Sequence, residues 1–485
     1  MKKFAILCHR WTGTAFCVLF AWWFISGIFM MYVDYPEVND SDRLAHAQAL
    51  DSSRIQLTAE QAWASLKTKG EPDEVRLRMF DSRPAYWFRL GKARAYVYAD
   101  DGRIQVKFPP DLNLRTAAAW TGQPADGATS ELMASEDQWT VGGLYFNYEP
   151  LTKYLWPDGQ QVYIPTATGE VVQYTTSASR LLSYLGPIPH WLYFTPLRKN
   201  PQLWSRIIIW LAGAATVVAL LGLFAGLSLY SPSKRIPFTG TKRLHMILGL
   251  FFGFLACTWT FSGMLSMDPF PVKIAGLVQT KEDPRIPEAL GGEPFAFEAF
   301  SGKSPREALT QAALSVKEIE FLSVGGKSFY LATQDAEHTR LIPMDGAPTA
   351  EFDRPALVGL VTKAIQPTGL SEARFITKYD AHYLDRHHEL PLPVLFVQLK
   401  DPQRSSFYID PRTARVVGSY SSGRWPERWL YHGLHSINLP WLYNHRPAWD
   451  VAVLFLMLGG TSLAITSVVI AVRFVGLKMA GKYTR

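Results

Sequence analysis

The sequence predicts a membrane protein in which a four-helix transmembrane bundle, built from two tandem repeats, carries two external α+β domains. Three observations predict this fold class. Four segments are uncharged and apolar for about 20 residues or more, the length that a helix needs to cross a bilayer. The short connections between them are rich in lysine and arginine, and the two halves of the 485-residue chain repeat each other.

Four apolar segments are the predicted spans. They are residues 11–33, 207–230, 246–267 and 451–472, and none contains a charged side chain. We expect the first to be a retained helix and not a cleaved leader, because His9 and Arg10 interrupt its early apolar run and no small-residue cleavage site follows. With 48% hydrophobic and 19% charged residues, the chain fits a mixture of membrane spans and water-facing domains.

Basic residues mark one side of the membrane. The N-terminus, the link between the second and third spans and the C-terminal tail contain lysine and arginine but no acid. These residues are Lys2, Lys3, Arg10, Lys234, Arg235, Lys242, Arg243, Arg473, Lys478, Lys482 and Arg485. Because short cytoplasmic loops carry the positive excess, we expect both termini in the cytoplasm of a bacterial inner membrane. The net charge of +7 then reflects topology, and no nucleic-acid partner is expected.

The predicted organisation follows from the spans and their orientation. It comprises transmembrane helix 1 (1–34), periplasmic domain 1 (35–203), transmembrane helix 2 (204–230), a cytoplasmic loop (231–244), transmembrane helix 3 (245–267), periplasmic domain 2 (268–446), transmembrane helix 4 (447–475) and a cytoplasmic tail (476–485). The three cysteines, Cys8, Cys17 and Cys257, lie in or beside spans, so we expect no disulfide in the periplasmic domains.

Two registers relate the halves. A shift of 236 residues aligns the first span with the third, and a shift of 245 aligns the ends of the halves. The matched pairs include His9 with His245, Gly13 with Gly249, Trp23 with Trp259, Ser26 with Ser262, Gly27 with Gly263, His190 with His435 and Trp204 with Trp449. Hydrophobicity alone would not align these residue types. The repeated unit is helix, external domain, histidine and helix, and its parallel repetition implies a pseudo-twofold axis along the membrane normal.

The external segments have the pattern of α+β domains. Helical spacing and strand composition alternate within each of them, and Gly102 ends an Ala-Asp-Asp-Gly turn signal. The predicted helices are 57–69 and 304–318, the predicted strands are 86–90, 95–98, 104–108, 328–332 and 393–399, and the predicted turns are 99–102, 166–169 and 410–414.

Four of the eleven histidines stand at the ends of spans. His9 and His245 open the first and third spans on the cytoplasmic side, whereas His190 and His435 precede the second and fourth on the outer side. A histidine at a membrane boundary makes a structural hydrogen bond, relays protons or binds a metal. Because an internal twofold brings equivalent residues face to face, we expect one histidine pair at each membrane surface, as bis-histidine haem ligation requires. The sequence therefore predicts two haems.

Neighbouring residues bear on this prediction. Gly13 and Gly249 follow their histidines by one helical turn, where a missing side chain leaves room for a porphyrin; close helix packing is the alternative. His432 competes with His435 as the outer ligand because they lie three residues apart. The repeat favours His435, and His445 is a weaker candidate. No Cys-x-x-Cys-His motif occurs, so the expected cofactor is non-covalent haem b.

A polar external cluster is the candidate acceptor site. It contains His382, Asp385, His387 and His388, and we expect it to bind a metal or to hold an iron-bearing substrate near the outer haem. The alternative is a solvated polar loop. The first half has no matching cluster, which argues against a structural role shared by both domains.

Three motifs point to a known family: the His9-Arg10-Trp11-x-Gly13 opening, its echo from Leu244-His245 to Gly249, and the Tyr408-Ile409-Asp410-Pro411 hairpin. With them the chain resembles the PepSY-associated transmembrane proteins, which include iron-regulated inner-membrane proteins and siderophore-iron reductases of the ferrioxamine-reductase type. The resemblance implies a two-haem, four-helix core with PepSY-like periplasmic domains that passes electrons outward to reduce ferric siderophore. The first copy departs from the pattern, since Ile164-Pro165-Thr166 stands where the Asp-Pro turn is expected.

The predicted function is electron transfer from quinol or a cytoplasmic reductase to a periplasmic acceptor. No Gly-x-Gly-x-x-Gly follows a strand and no cytoplasmic segment is large enough for a flavin or nicotinamide domain, so we expect a separate electron donor. A rival hypothesis is a non-redox regulator whose PepSY-like domains bind or inhibit a periplasmic protease or peptide. A transporter is disfavoured because the spans lack internal charges and proline breaks.

Overall fold

The computed structural model of the chain describes residues 2–142, 145, 148, 150–231, 236–269, 286, 290 and 295–480. Four of the basic residues that predicted the topology, Lys234, Arg235, Lys482 and Arg485, lie outside the described residues. So do parts of the predicted cytoplasmic loop, the predicted cytoplasmic tail and the two predicted periplasmic domains.

Helices of very different length alternate along the chain. They are α1 (Lys2–Met30), α2 (Asp40–His46), α3 (Ala59–Ser65), α4 (Pro110–Thr121), α5 (Ser177–Leu185), α6 (Pro187–Trp191), α7 (Thr195–Arg198), α8 (Pro201–Leu229), α9 (Gly240–Leu265), α10 (Pro305–Ala312), α11 (Arg354–Ala364), α12 (Pro440–Tyr443) and α13 (Ala448–Met479). A π-helical turn, Glu427–Gly433, precedes α12. Short 3-10 turns occupy Ser52–Arg54, Ala125–Gly127, Phe297–Phe300 and Ser422–Arg424.

Four of these helices, α1, α8, α9 and α13, are long and apolar enough to cross a membrane. Their 26 to 32 residues correspond to about 40–48 Å, which exceeds a hydrocarbon core of about 30 Å. Large apolar side chains on them point away from the protein, such as Trp210 and Phe251, each 78% exposed. Such a surface is stable against lipid and not against water. The prediction of four candidate spans is confirmed.

The four long helices form a closed ring in which α1 packs on α8 and α13, and α9 packs on the same two helices. Small residues and hydroxyl groups line the contacts, as is usual between membrane helices. For example, the hydroxyl of Thr216 in α8 donates to that of Thr260 in α9 at 3.1 Å. The equivalent helices α1 and α9 therefore occupy opposite corners of the ring, as a twofold axis along the bundle requires.

The strands form three antiparallel sheets. They are β1 (Glu74–Phe80), β2 (Arg83–Leu90), β3 (Ala93–Tyr98), β4 (Ile104–Gln105), β5 (Thr129–Leu132), β6 (Leu151–Leu155), β7 (Gln161–Pro165), β8 (Gln173–Thr175), β9 (Glu318–Val324), β10 (Lys327–Thr333), β11 (Thr339–Pro343), β12 (Leu370–Ile376), β13 (Val394–Leu399), β14 (Ser406–Asp410) and β15 (Arg415–Tyr420). The sheet orders are β11-β10-β9-β1-β2-β3-β4, β5-β6-β7-β8 and β12-β13-β14-β15.

The central seven-stranded sheet joins the two external segments that the sequence presented as separate domains. Its middle pair is β1 of the first segment against β9 of the second, with Leu77 opposite Ile319. Beneath this sheet the two segments share one apolar core, in which Tyr86 packs against Phe321. An ion pair between Arg76 and Glu318 at 3.0 Å crosses the same junction. The halves therefore fold against each other, and each also has a four-stranded sheet of its own.

Most predicted external elements occur where the sequence placed them, with shifted ends. The predicted turns lie between β3 and β4, between β7 and β8, and between β14 and β15. The predicted helix 304–318 is wrong at its C-terminal end, because Ala313 adopts a left-handed φ of 51° that ends α10, and β9 begins at Glu318. The helix predicted at 57–69 is likewise limited to α3, and Lys67 beyond it has a φ of 50°.

Candidate functional site

One histidine pair lies near the beginnings of α1 and α9. The ring centres of His9 and His245 are 6.4 Å apart, and the ring planes differ by 25°. Nδ1 of His9 donates to the carbonyl of Val218 in α8 at 3.1 Å. Nδ1 of His245 lies 3.2 Å from the hydroxyl of Thr466 in α13. All four long helices thus contribute to this inner pair.

A second pair lies at the opposite ends of α1 and α9. His190 comes from α6, and His435 follows the π-helical turn just before α12; their ring centres are 6.0 Å apart and their planes differ by 70°. Nδ1 of His190 lies 3.1 Å from the hydroxyl of Ser26 in α1. Nδ1 of His435 lies 3.0 Å from that of Ser262 in α9. The repeated residues thus make repeated contacts in this outer pair.

The hydroxyl groups fix which ring nitrogen carries the proton. Ser26 donates its own proton to the carbonyl of Trp23 at 3.2 Å, and Ser262 donates to that of Trp259 at 3.1 Å. Each serine therefore accepts from a histidine Nδ1–H, since a hydroxyl has only one proton to give. In the inner pair Thr466 likewise donates to Leu463 at 2.7 Å.

The other nitrogen of each ring, Nε2, is unprotonated and has a lone pair that can bind a metal. His9 bonds a carbonyl, which only accepts, so its Nδ1 is protonated as well. Across the described part of the chain, no hydrogen bond involves Nε2 of His9, His245, His190 or His435. Protein packed around the outer rings lowers the pKa of His190 to about 3 and that of His435 to about 4, because an imidazolium there is poorly solvated. Neutral imidazole with a free Nε2 is the metal-binding form.

The two pairs are separated by most of the bundle length. Seventeen positions separate His9 from Ser26 in α1, and the same number separates His245 from Ser262 in α9. At a rise of 1.5 Å per residue this is about 25 Å. This distance is close to the thickness of a hydrocarbon core, which is about 30 Å.

Glycines lie directly against three of the four rings. A Cβ on Gly222 in α8 would come within 2.6 Å of His9 Cε1, and one on Gly263 would come within 3.4 Å of His435 Cε1. A Cβ on Gly27 would first meet the side chain of Met457 and would lie 3.5 Å from His190 Cε1. Of the glycines singled out in the sequence, Gly13 lies near His9, at 3.8 Å, but the nearest side chain to Gly249 is Leu463.

Sequence reasoning assigned no site role to Gly222, Gly27 or Gly263. The repeat does align Gly27 with Gly263, and each follows the serine that bonds an outer histidine. This signal was available from the sequence. Gly222 has no glycine counterpart, because Ser467 occupies the equivalent position in the register shifted by 245, so nothing in the sequence marked it.

The competing histidines lie elsewhere. His432 is in the π-helical turn, with Nε2 3.9 Å from Glu427, and its ring packs beside Tyr431. His445 is exposed, and its Nδ1 bonds the carbonyl of Trp441 at 2.6 Å. The ring that faces His190 is that of His435, the residue that the repeat favoured.

The three histidines of the external cluster face different partners. His382 stacks on Tyr420 with ring centres 3.5 Å apart. His387 Nε2 lies 2.8 Å from a carboxylate oxygen of Asp34, just beyond α1, whereas His388 packs edge-on against Tyr379. Among the residues that the structure describes, no three histidine, cysteine or acidic side chains converge as a potential metal site.

The geometry of both histidine pairs fits haem iron. With a metal–imidazole bond of about 2 Å and about 1 Å more from Nε2 to the ring centre, two imidazoles that held one metal ion between them would have ring centres about 6 Å apart. The observed separations are 6.4 and 6.0 Å. Each Nδ1–H has an acceptor that orients its ring, as is usual for metal-bound histidine. Glycines at Gly222, Gly27 and Gly263 keep side-chain bulk away from the rings.

No family model matches the chain, and no curated protein sequence matches it. The histidine pairs and their surroundings are therefore the features of the chain that indicate its function.

Proposed function

We propose that this chain is a dihaem b-type electron-transfer protein of a bacterial inner membrane. His9 and His245 hold one haem near the cytoplasmic face, and His190 and His435 hold the other near the periplasmic face. The observation that carries the proposal is the pairing of four Nδ1-bonded imidazoles, in two facing pairs, at opposite ends of an apolar bundle.

The residues of the chain supply position and a dry environment. The Nδ1–H bonds hold each ring in the tautomer that offers Nε2, and the glycines beside the rings admit a flat group close to the helix backbone. When bound, haem supplies reversible one-electron exchange between ferric and ferrous iron. Two such centres divide a crossing of about 30 Å into shorter steps.

The direction of transfer follows from the proposed topology. The basic ends of the spans face the cytoplasm, where quinol or a cytoplasmic reductase donates electrons. The large sheets face the periplasm, where we propose that PepSY-like domains present an acceptor, with ferric siderophore as the substrate class. Each ferric ion takes one electron and leaves as ferrous iron.

The external cluster has a bonded connection to the outer pair, which supports its role at the acceptor site. Arg428, in the turn that leads to His435, donates to the carbonyl of Ala381 beside His382. It also donates to the side chain and carbonyl of Asn438, at 2.8 and 3.0 Å. One buried guanidinium thus ties the loop of His382 to the chain segment that contains His435.

The first experiment measures the cofactor. Purified protein, expressed with ample haem supply, is expected to contain haem b at about two per chain by the pyridine haemochrome assay, low-spin in both oxidation states because histidine fills both axial positions. Purified protein without haem under these conditions would reject the proposal. It would favour the alternative hypothesis, a non-redox regulator that binds or inhibits a periplasmic protease or peptide.

The second experiment measures the acceptor reaction. Chemically reduced protein is mixed with a ferric siderophore in the presence of a ferrous chelator, and haem oxidation is expected to match the ferrous iron trapped. A variant with alanine at His382, His387 and His388 is expected to slow this step and to keep the haem spectrum. Unchanged reoxidation would remove the cluster from the acceptor site, and failure with every ferric chelate would reject iron as the target while leaving electron transfer in place.

A further inference from the structure

The two histidine pairs differ in the angle between their rings. The rings of His9 and His245 are 25° from parallel, whereas those of His190 and His435 are 70° apart and so close to perpendicular. The separations of the ring centres differ by far less, at 6.4 and 6.0 Å. The angle between the ring planes, and not the spacing of the ring centres, therefore distinguishes the pairs.

Each outer ring is held by a serine in a different long helix. The hydroxyls of Ser26 and Ser262 are fully buried, each donates to a carbonyl one turn earlier, and each accepts from one outer histidine. Each hydroxyl is held by two hydrogen bonds, one to the carbonyl and one to the histidine ring. It therefore cannot move with the ring, and rotation of the ring breaks a hydrogen bond. Breaking a hydrogen bond to a buried group leaves that group without a partner and without water, which is unfavourable. The serines thus fix the ring angle.

We propose that Ser26 and Ser262 are positioning residues that hold the outer pair near perpendicular and give the outer haem an electronic state distinct from that of the inner haem. This inference rests on the proposed function. The physical reason lies in the iron d orbitals that overlap the imidazole π systems. Parallel rings overlap one of two such orbitals and separate their energies, whereas perpendicular rings overlap both and keep them nearly equal.

The experiment is electron paramagnetic resonance of the oxidised, haem-loaded protein. The inner site is expected to give a rhombic low-spin signal with three resolved g-values. The outer site is expected to give a strongly anisotropic signal whose largest g-value is higher. Two rhombic signals of the same kind would overturn the inference although both haems are present, whereas a preparation without haem would reject the proposed function instead. The native spectrum decides the ring angles even where a variant fails to fold.

Variants assign the signals and the role of the serines. Ser26→Ala and Ser262→Ala each remove one hydroxyl at constant backbone, and each is expected to shift the anisotropic signal and leave the rhombic one unchanged. Thr466→Val, which removes the hydroxyl beside His245, is expected to shift the rhombic signal and leave the anisotropic one unchanged. Ser266→Ala is the matched control, since Ser266 lies one turn after Ser262 and its hydroxyl donates to the carbonyl of Gly263 at 2.7 Å. Serine variants with both signals unchanged would reject the positioning role.

Discussion

The inner and outer histidine pairs have similar ring separations but are built on different supports. The inner histidines belong to two of the long apolar helices, and their Nδ1 partners are a backbone carbonyl of α8 and a threonine of α13. The outer histidines belong to α6 and to the segment after the π-helical turn, both outside the long helices, and two equivalent serines hold them. The bundle alone determines the inner pair, whereas the outer pair also depends on the external chain.

This difference has a functional meaning under the proposed activity. The inner site is held by the four long helices themselves, as suits a centre that only receives and passes on electrons. A site held by segments that continue into the external sheets is mechanically connected to the surface where an acceptor binds. Arg428 provides that connection, because it bonds both the His382 loop and the segment around His435.

The largest expected effect comes from removing a ligand. His9→Ala and His245→Ala are each expected to reduce haem from about two to about one per chain, and the double variant to lose no more, because both ligands serve one iron. His190→Ala and His435→Ala are expected to remove the other haem. The measurement is haem content together with the redox spectrum.

His445→Ala is the control for the ligand variants. Its ring is exposed and bonds only the neighbouring Trp441 carbonyl, so both haems are expected to remain. If His9 and His245 variants lost different haems, the facing pairs would not be the binding unit.

A medium effect is expected where a glycine lies against a ring. Gly222→Ala places a Cβ 2.6 Å from His9 Cε1, whereas Gly263→Ala places one 3.4 Å from His435 Cε1. Overpacking of this kind costs about 1–3 kcal/mol, which is about fivefold to 150-fold in affinity. We expect Gly222→Ala to weaken the inner haem by this amount and Gly263→Ala to weaken the outer haem by less than tenfold.

Haem retention during titration with a haem-scavenging apoprotein measures both effects. Gly476→Ala serves as the control, since a Cβ there meets no atom within 4 Å. Equal losses in the Gly222 and Gly263 variants would contradict the tighter inner contact.

The smallest effect is expected at the position that breaks the repeat. Ser467 stands in the second half where Gly222 stands in the first, and its hydroxyl is 3.4 Å from Nδ1 of His245, a weak contact beside the bond to Thr466. Ser467→Gly is therefore expected to weaken the inner haem by less than about 1 kcal/mol. A loss as large as that of Thr466→Val would show that Ser467 orients the ring as much as Thr466 does. Thermal release of haem compares the two variants.

The sequence determined the four long apolar helices, because a charge-free run of this length has few other stable environments. It also paired the outer histidines, since the register shifted by 245 matched His190 with His435 and the structure brings their rings together. The pairing of His9 with His245 came from the register shifted by 236 in the same way. A repeat predicts these contacts because a twofold axis places equivalent residues on opposite sides of itself.

Only the tertiary structure decided how the halves join and what orients the rings. Pairing of β1 with β9 depends on backbone groups of two distant segments meeting in register, and backbone groups leave no mark in the sequence. The carbonyl of Val218 that bonds His9 was hidden for the same reason. The closeness of Gly222 to His9 depends on how α8 is rotated against α1, which the packing of the whole bundle sets. The sequence thus determined which residues are equivalent, and the packed bundle decided which of them touch.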